Sequence, residues 1–66
     1  MKIGKAVDTL LIEREMSRKQ LAIELGKSSS FVGNICQQTN INTKTIEAIC
    51  NVVGVLPSRF VQIAES

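Results

Sequence analysis

Apolar residues recur in this chain at the spacing of an α-helix, and this pattern limits the fold more than any other feature. The first stripe, at positions i, i+4, i+7 and i+8, comprises Ile3, Val7, Leu10 and Leu11. The apolar residues of four further stripes are Leu21, Ala22 and Leu25; Val32, Ile35 and Cys36; Ile46, Ile49, Cys50 and Val53; and Phe60, Val61 and Ile63. Because each stripe marks one buried helix face and no segment indicates a strand, the sequence predicts an all-α fold of five short helices.

Capping residues mark where these helices begin. Ser17 and Gln20 form an S-x-x-Q capping box, in which the Ser17 hydroxyl accepts from the Gln20 amide while the Gln20 side chain reaches back. Ser28 and Asn42 are the predicted N-caps of the third and fourth helices. Pro57 suits the first position of the last helix, since a proline lacks the N–H that would be unpaired there.

Two glycines mark where helices end. Gly26 and Gly54 follow the last apolar residues of the second and fourth helices, where a left-handed residue commonly closes a helix. The first helix is predicted over about 2–15, the second from Arg18 onward, and the fourth over about 43–53.

The second and third predicted helices are joined by a turn of three residues, which is too short for two antiparallel helices. A helix, a tight turn with glycine and a second, steeply crossing helix form a helix-turn-helix unit, whose second helix can enter the major groove of DNA. This unit spans about residues 17–38. Its setting is one small domain over residues 1–66, with a core built almost entirely of aliphatic side chains because the chain has two phenylalanines and no Trp or Tyr.

The same turn also resembles the end of a nucleotide-binding P-loop, because Gly26, Lys27 and Ser28 spell G-K-S. A P-loop needs another glycine five positions earlier and a preceding strand, but Leu21 stands there and its neighbours follow helical spacing. Other enzyme chemistry is disfavoured because the chain has no histidine and no clustered carboxylates. We expect no catalytic residue and no cofactor.

Cys36 and Cys50 form no CxxC pair and have no histidine with which to complete a zinc site, so no metal is expected. Two small buried thiols are the simpler interpretation, and a disulfide between them stays open.

No apolar run approaches the roughly 20 residues of a membrane span, and the first ten residues lack the apolar region of a secretory signal. These features predict a soluble, cytoplasmic protein.

The net charge of +2 is unevenly distributed. Residues 16–46 carry four basic side chains and one acidic, a balance of +3, whereas the remainder carries four basic and five acidic, a balance of −1. The four basic residues of the middle segment are Arg18, Lys19, Lys27 and Lys44. Each lies at a predicted helix start or in the turn, so we expect these cations to hold backbone phosphates without reading base sequence.

The outer face of the third helix carries the predicted base-contacting residues. The side chains opposite the apolar stripe are Ser30, Asn34 and Gln37, with Ser29 and Gly33 on one flank. Asn34 and Gln37 can each make two hydrogen bonds with adenine, and a serine hydroxyl can donate or accept at any base. Gly33 either lets the backbone approach DNA closely or is simply tolerated at a cost of about 1 kcal/mol. For Phe31, packing is favoured over contact with a thymine methyl.

Two segments, MSRKQLAIELGKSSSFVGNI and INTKTIEAICNVVGV, resemble the lambda-repressor-like, Cro-type helix-turn-helix regulators, and the resemblance extends over about residues 3–63. It implies a five-helix DNA-binding domain that acts as a dimer on a palindromic operator. By position, Arg18 and Ser28 match phosphate contacts of the family and Lys44 a frequent backbone contact. The positions that match its base contacts are Ser29, Ser30 and Asn34.

The chain departs from that family in two places. Many members pair an Arg late in the first helix with a Glu late in the recognition helix, where this chain has Leu11 and Cys36. An apolar pair can fill such a space, since a buried ion pair often stabilises little more than hydrophobic packing. The loop CQQTNIN also lacks the glycine that commonly follows the recognition helix.

A homodimer is expected because one small domain covers few base pairs, whereas two copies about one DNA turn apart multiply the readout. The predicted interface is apolar and lies near the C-terminus: Val55, Leu56, Phe60 and Val61. The alternative that Phe60 fills the core of the monomer is equally open.

These features together predict a sequence-specific regulator of transcription that binds double-stranded DNA. Its nearest analogues are compact bacteriophage Cro-like repressors acting in a bacterial cell, with no membrane association. No small-molecule effector is expected, because the chain has no second domain of a size to bind one. The alternative is a protein-interaction module that uses the same fold, such as an antitoxin subunit or a restriction-modification controller.

Overall fold

The computed structural model describes residues 1–66 and consists of helices, turns and loops, without strands. The helices are α1 Ile3–Glu13, α2 Arg18–Leu25, α3 Ser29–Gln37, α4 Thr43–Val53 and α5 Pro57–Ala64. α1 packs on α3 and α5, α2 packs on α3 and α4, and α4 packs on α5. The all-α fold with five helices is therefore confirmed, and the radius of gyration is 10.3 Å.

The predicted helix starts are confirmed by their capping hydrogen bonds. The Ser17 hydroxyl accepts from the Gln20 amide at 3.0 Å, and the Ser28 hydroxyl accepts from the Phe31 amide at 3.3 Å. Asn42 Oδ1 accepts from the amide of the third residue of α4 at 2.9 Å. These bonds satisfy backbone donors that have no partner within the helix.

The reciprocal half of the capping box at the start of α2 was predicted wrongly. Gln20 Nε2 donates to Glu24 Oε1 at 2.9 Å, instead of turning back to the backbone of Ser17. Glu24 lies one turn further along the same helix face, and the hydrogen bond to its charged carboxylate holds the Gln20 side chain away from the Ser17 backbone N–H.

α1 ends at Glu13, two residues earlier than predicted, because Glu15 adopts a left-handed conformation with φ of 54°. The Met16 amide donates to the Leu11 carbonyl at 2.9 Å, and the Glu15 amide to the Ile12 carbonyl at 3.1 Å. This is the Schellman pattern, which is usually closed by glycine, and a glutamate there costs about 1 kcal/mol. The two expected glycines, Gly26 and Gly54, have φ of 70° and 73° at the ends of α2 and α4, as predicted.

The core consists of apolar side chains from all five helices. The buried residues are Ile3, Ala6, Val7, Leu10, Leu11, Leu21, Ala22, Val32, Ile35, Ile46, Ile49, Cys50, Val53, Phe60 and Ala64. In α5 the inward stripe differs from the prediction, since Val61 is exposed and Ala64, one turn after Phe60, is buried instead. Leu25, Cys36 and Ile63 are only partly buried.

Gly4 was not singled out by the sequence, yet it sets the distance between α1 and α3. A Cβ atom at this position would lie 2.7 Å from the Cys36 carbonyl oxygen, closer than such atoms approach. The absence of a side chain therefore lets the start of α1 rest against the C-terminal turn of α3.

Both cysteines are free thiols, and the predicted burial is confirmed for Cys50 alone. Cys50 lies in the core and Cys36 is half-buried; burial raises the pKa of each thiol.

The loop after α3 needs no glycine because left-handed φ angles occur only at Glu15, Gly26 and Gly54. No single helix meets the length and hydropathy of a membrane span, although α4 and α5, bent by 107° at their junction, do so together.

Candidate nucleic-acid interface

The outer face of α3 is polar, exposed and free of internal hydrogen bonds. Val32 and Ile35 hold the inner face in the core. On the opposite side the four residues predicted to contact bases are all exposed: Ser29, Ser30, Asn34 and Gln37. None of their side chains donates or accepts within the protein, so each keeps its full capacity for a base edge.

α3 itself carries no charged residue, and cations lie on the elements beside it. Lys27, in the turn before α3, and Lys44, in the first turn of α4, line one groove of about 180 Å³. Neither lysine is in a salt bridge, and Lys19 in the first turn of α2 is also unpaired and exposed. The fold thus brings Lys27 and Lys44, 17 residues apart in sequence, to one groove beside Phe31 of α3.

Phe31 lies in the same groove and packs against the core, as the favoured interpretation expected. Its ring centroid is 5.5 Å from Lys27 Nζ, within the range of a cation–π contact. The ring therefore contacts the Lys27 ammonium group within the groove. The Ser28 hydroxyl, which accepts from the Phe31 amide, is exposed and can still donate its own hydrogen.

Arg18 differs from the lysines because its guanidinium is already paired. Its Nε donates to Asp8 Oδ1 at 2.9 Å and its Nη2 to Asp8 Oδ2 at 2.8 Å, and these bonds raise the pKa of Arg18. Asp8 lies in α1, ten residues away, so no helical period connects the two positions. Sequence reasoning missed this pair because only tertiary packing brings the residues together.

A protein-family model describing the Cro/C1-type HTH DNA-binding domain matches residues 6–60, most of the chain. That span contains the α2–turn–α3 unit and the helices that support it. The chain belongs to the Cro/C1-type helix-turn-helix family. A search of curated proteins and a search of solved structures found no match.

In this Cro/C1-type domain the predicted dimer residues divide into two groups. Leu56 is 72% exposed, Val61 is 36% exposed and Val55 is half-buried, so all three keep some surface. Phe60 is 0% exposed, which corrects its assignment to an interface: the ring fills the core of the monomer. It is the largest fully buried side chain, and a core otherwise built of aliphatic residues needs that volume.

A shallow depression of about 500 Å³ adjoins the exposed C-terminal residues of this Cro/C1-type domain. It is lined by Glu13, Arg14, Gly54, Val55, Leu56 and Arg59. Arg59 Nη2 donates to both Glu13 carboxylate oxygens at 2.9 and 2.7 Å, which joins α5 to the end of α1. Two further exposed apolar residues, Ile12 and Ile23, were not singled out by the sequence.

Proposed function

We propose that this Cro/C1-type domain is a sequence-specific regulator of transcription that reads double-stranded DNA with α3 in the major groove. The observation that carries the proposal is the polar outer face of α3, whose side chains are exposed and make no hydrogen bond within the protein. An uncharged face of this kind gains little from phosphates but can pair with base edges.

In this proposal two sets of residues act differently. Ser29, Ser30, Asn34 and Gln37 contact bases and determine which sequence is bound. The residues that hold the backbone are Arg18, Lys19, Lys27, Ser28 and Lys44. The groove on the protein that Lys27 and Lys44 line supports this division, because it lies beside α3. When α3 enters the major groove of DNA, the two unpaired ammonium groups would face the adjacent row of phosphates.

We further propose that the regulator acts as a homodimer on a palindromic operator, as a Cro-like repressor. Exposed Leu56 and Val61, with half-buried Val55, are apolar surface that a second copy would cover. Sedimentation of the free protein and of its DNA complex tests the assembly, and a monomer under both conditions would contradict it.

Affinity measured against salt concentration separates the two sets of residues. Lys44→Ala should weaken binding to specific and scrambled DNA by similar factors and lower the salt slope by about one unit. Asn34→Ala should cost about 1–3 kcal/mol on the specific site alone. Lys5→Ala is the matched control, because it removes the same charge from α1, where Lys5 Nζ contacts Ser66 at the other end of the chain.

Two results of these affinity measurements would contradict different parts of the proposal. Equal losses for Lys44→Ala and Asn34→Ala on both duplexes would show that the roles are wrongly assigned. An unchanged DNA affinity for both Ser30→Ala and Asn34→Ala would favour a protein-interaction module instead. The exposed Ile12 and Ile23 are the observation that supports this second candidate, since apolar side chains on the surface suit a protein partner better than DNA.

A further inference from the structure

The Asp8–Arg18 pair joins α1 to the first residue of α2, but it contributes little to the stability of the fold. Both side chains are 47% exposed, and an ion pair in water at a surface contributes little to stability. The geometry is nevertheless specific: the carboxylate meets the side edge of the guanidinium with two hydrogen bonds, Nε–Oδ1 and Nη2–Oδ2. A paired, ordered arginine at the predicted backbone interface calls for an explanation other than stability.

A guanidinium has five N–H donors in a fixed plane. Asp8 accepts hydrogen bonds from two of these N–H groups, so three remain free. Two of the three, one on each terminal nitrogen, lie side by side at the end of the guanidinium plane. That end is the edge with which arginine binds two oxygens of one phosphate. The Asp8 contact is therefore compatible with a phosphate contact by the same side chain.

We propose that Asp8 is a positioning residue, which orders the Arg18 side chain in the free protein so that its remaining donors meet a DNA phosphate. This inference rests on the proposed function, since Arg18 must contact DNA for its orientation to matter. A free arginine side chain loses much rotational freedom when it is fixed on a ligand. When Asp8 holds Arg18, the side chain loses this rotational freedom as the protein folds. DNA binding then no longer includes that entropic cost, so the affinity is higher.

The surroundings of the pair support a role at the interface. The helices that carry the pair, α1 and α2, both pack on α3, and the charge of Arg18 opposes the increase in pKa that burial causes at the Cys36 thiol of α3. Gly4 of α1 rests on the Cys36 carbonyl at the same place. Asp8 thus holds Arg18 at a junction of α1, α2 and α3, whose relative positions are fixed by packing.

The chain offers a matched control for this proposal. Glu13 and Arg59 form an ion pair of the same kind, with Nη2–O distances of 2.9 and 2.7 Å and side chains 43% and 48% exposed. Neither residue lies on the helix-turn-helix unit. Asp8→Asn and Glu13→Gln therefore make the same change in charge and each break one exposed pair, but only the first removes the support of Arg18.

The test is the affinity of each variant of the 66-residue chain for a mixed-sequence duplex, because a phosphate contact does not depend on base sequence. We expect Asp8→Asn to bind about fivefold more weakly than Glu13→Gln. In an Arg18→Ala background, Asp8→Asn should have no weakening effect, since the group that it positions is gone. Circular dichroism at the temperature of the assay confirms that every variant is folded, so a loss of folded protein does not account for weaker binding.

Two results would overturn the proposal. If the Asp8→Asn variant binds DNA as tightly as the Glu13→Gln variant, or more tightly, the Asp8 carboxylate only repels DNA. An equal weakening with and without Arg18 would mean that Asp8 acts by another route. Failure of the wild-type protein to bind any duplex would instead refute the proposed function, and this outcome is distinguishable because it does not involve the variants.

Discussion

Two glycines, one in α1 facing α3 and one within α3, have opposite surroundings. Gly4, in α1, faces the C-terminal turn of α3, and a Cβ atom there would lie 2.7 Å from the Cys36 carbonyl oxygen. Gly33, in α3 itself, would place a Cβ atom in open space, with no atom of another element within 4 Å. Packing thus restricts which side chains fit at the inner side of α3, whereas the protein leaves open space at Gly33 on its outer side.

This difference indicates where function can be separated from folding. A change on the inner side alters the position of α3 and so affects stability and binding together. A change on the outer side leaves the fold intact, so its effect on DNA binding can be interpreted directly. The same substitution, glycine to alanine, can be made on both sides.

Gly4→Ala should have the larger effect and should destabilise the protein. The new methyl group meets a backbone carbonyl, which cannot move without shifting α1 from α3, and overpacking of this kind costs about 2 kcal/mol. A domain of this size has a free energy of unfolding on the order of 5 kcal/mol, so the loss would be plain in urea denaturation. An unchanged urea midpoint would show that α1 and α3 are less closely packed than the structure indicates.

Gly33→Ala should have the smaller effect, with the opposite sign. Alanine is favoured over glycine in a helix by about 1 kcal/mol, and the free surface accommodates the methyl group. We therefore expect the urea midpoint to rise, while DNA affinity falls because the methyl group stands between the helix backbone and the bases. Unchanged affinity in this stabilised variant would indicate that Gly33 is merely tolerated.

Much of the fold follows from local signals in the sequence. The caps at Ser17, Ser28 and Asn42 and the left-handed glycines at positions 26 and 54 act over a few residues, so the sequence alone predicts them. The outward face of α3 follows from the same periodicity. The end of α1 was misplaced because Glu15 occupies a left-handed position without the glycine that usually reveals one.

What the sequence did not reveal depends on tertiary packing. The contact between Gly4 and the Cys36 carbonyl and the pair between Asp8 and Arg18 join different helices, and no spacing within one helix predicts them. The assignment of Phe60 to a dimer interface failed for a related reason. Whether an aromatic ring is buried in the monomer depends on the volume that the neighbouring helices leave open, and here α1 and α4, on which α5 packs, leave enough.

The central claim is that the outer face of α3 reads base sequence, and selection of binding sites from random DNA tests it most directly. The selection is made once with the wild-type protein and once with Asn34→Ala. We expect the wild type to enrich one motif with two symmetric halves, and the variant to lose base preference at one position of each half while the rest of the motif persists. Enrichment of no motif by the wild type, or of an identical motif by both proteins, would contradict the account.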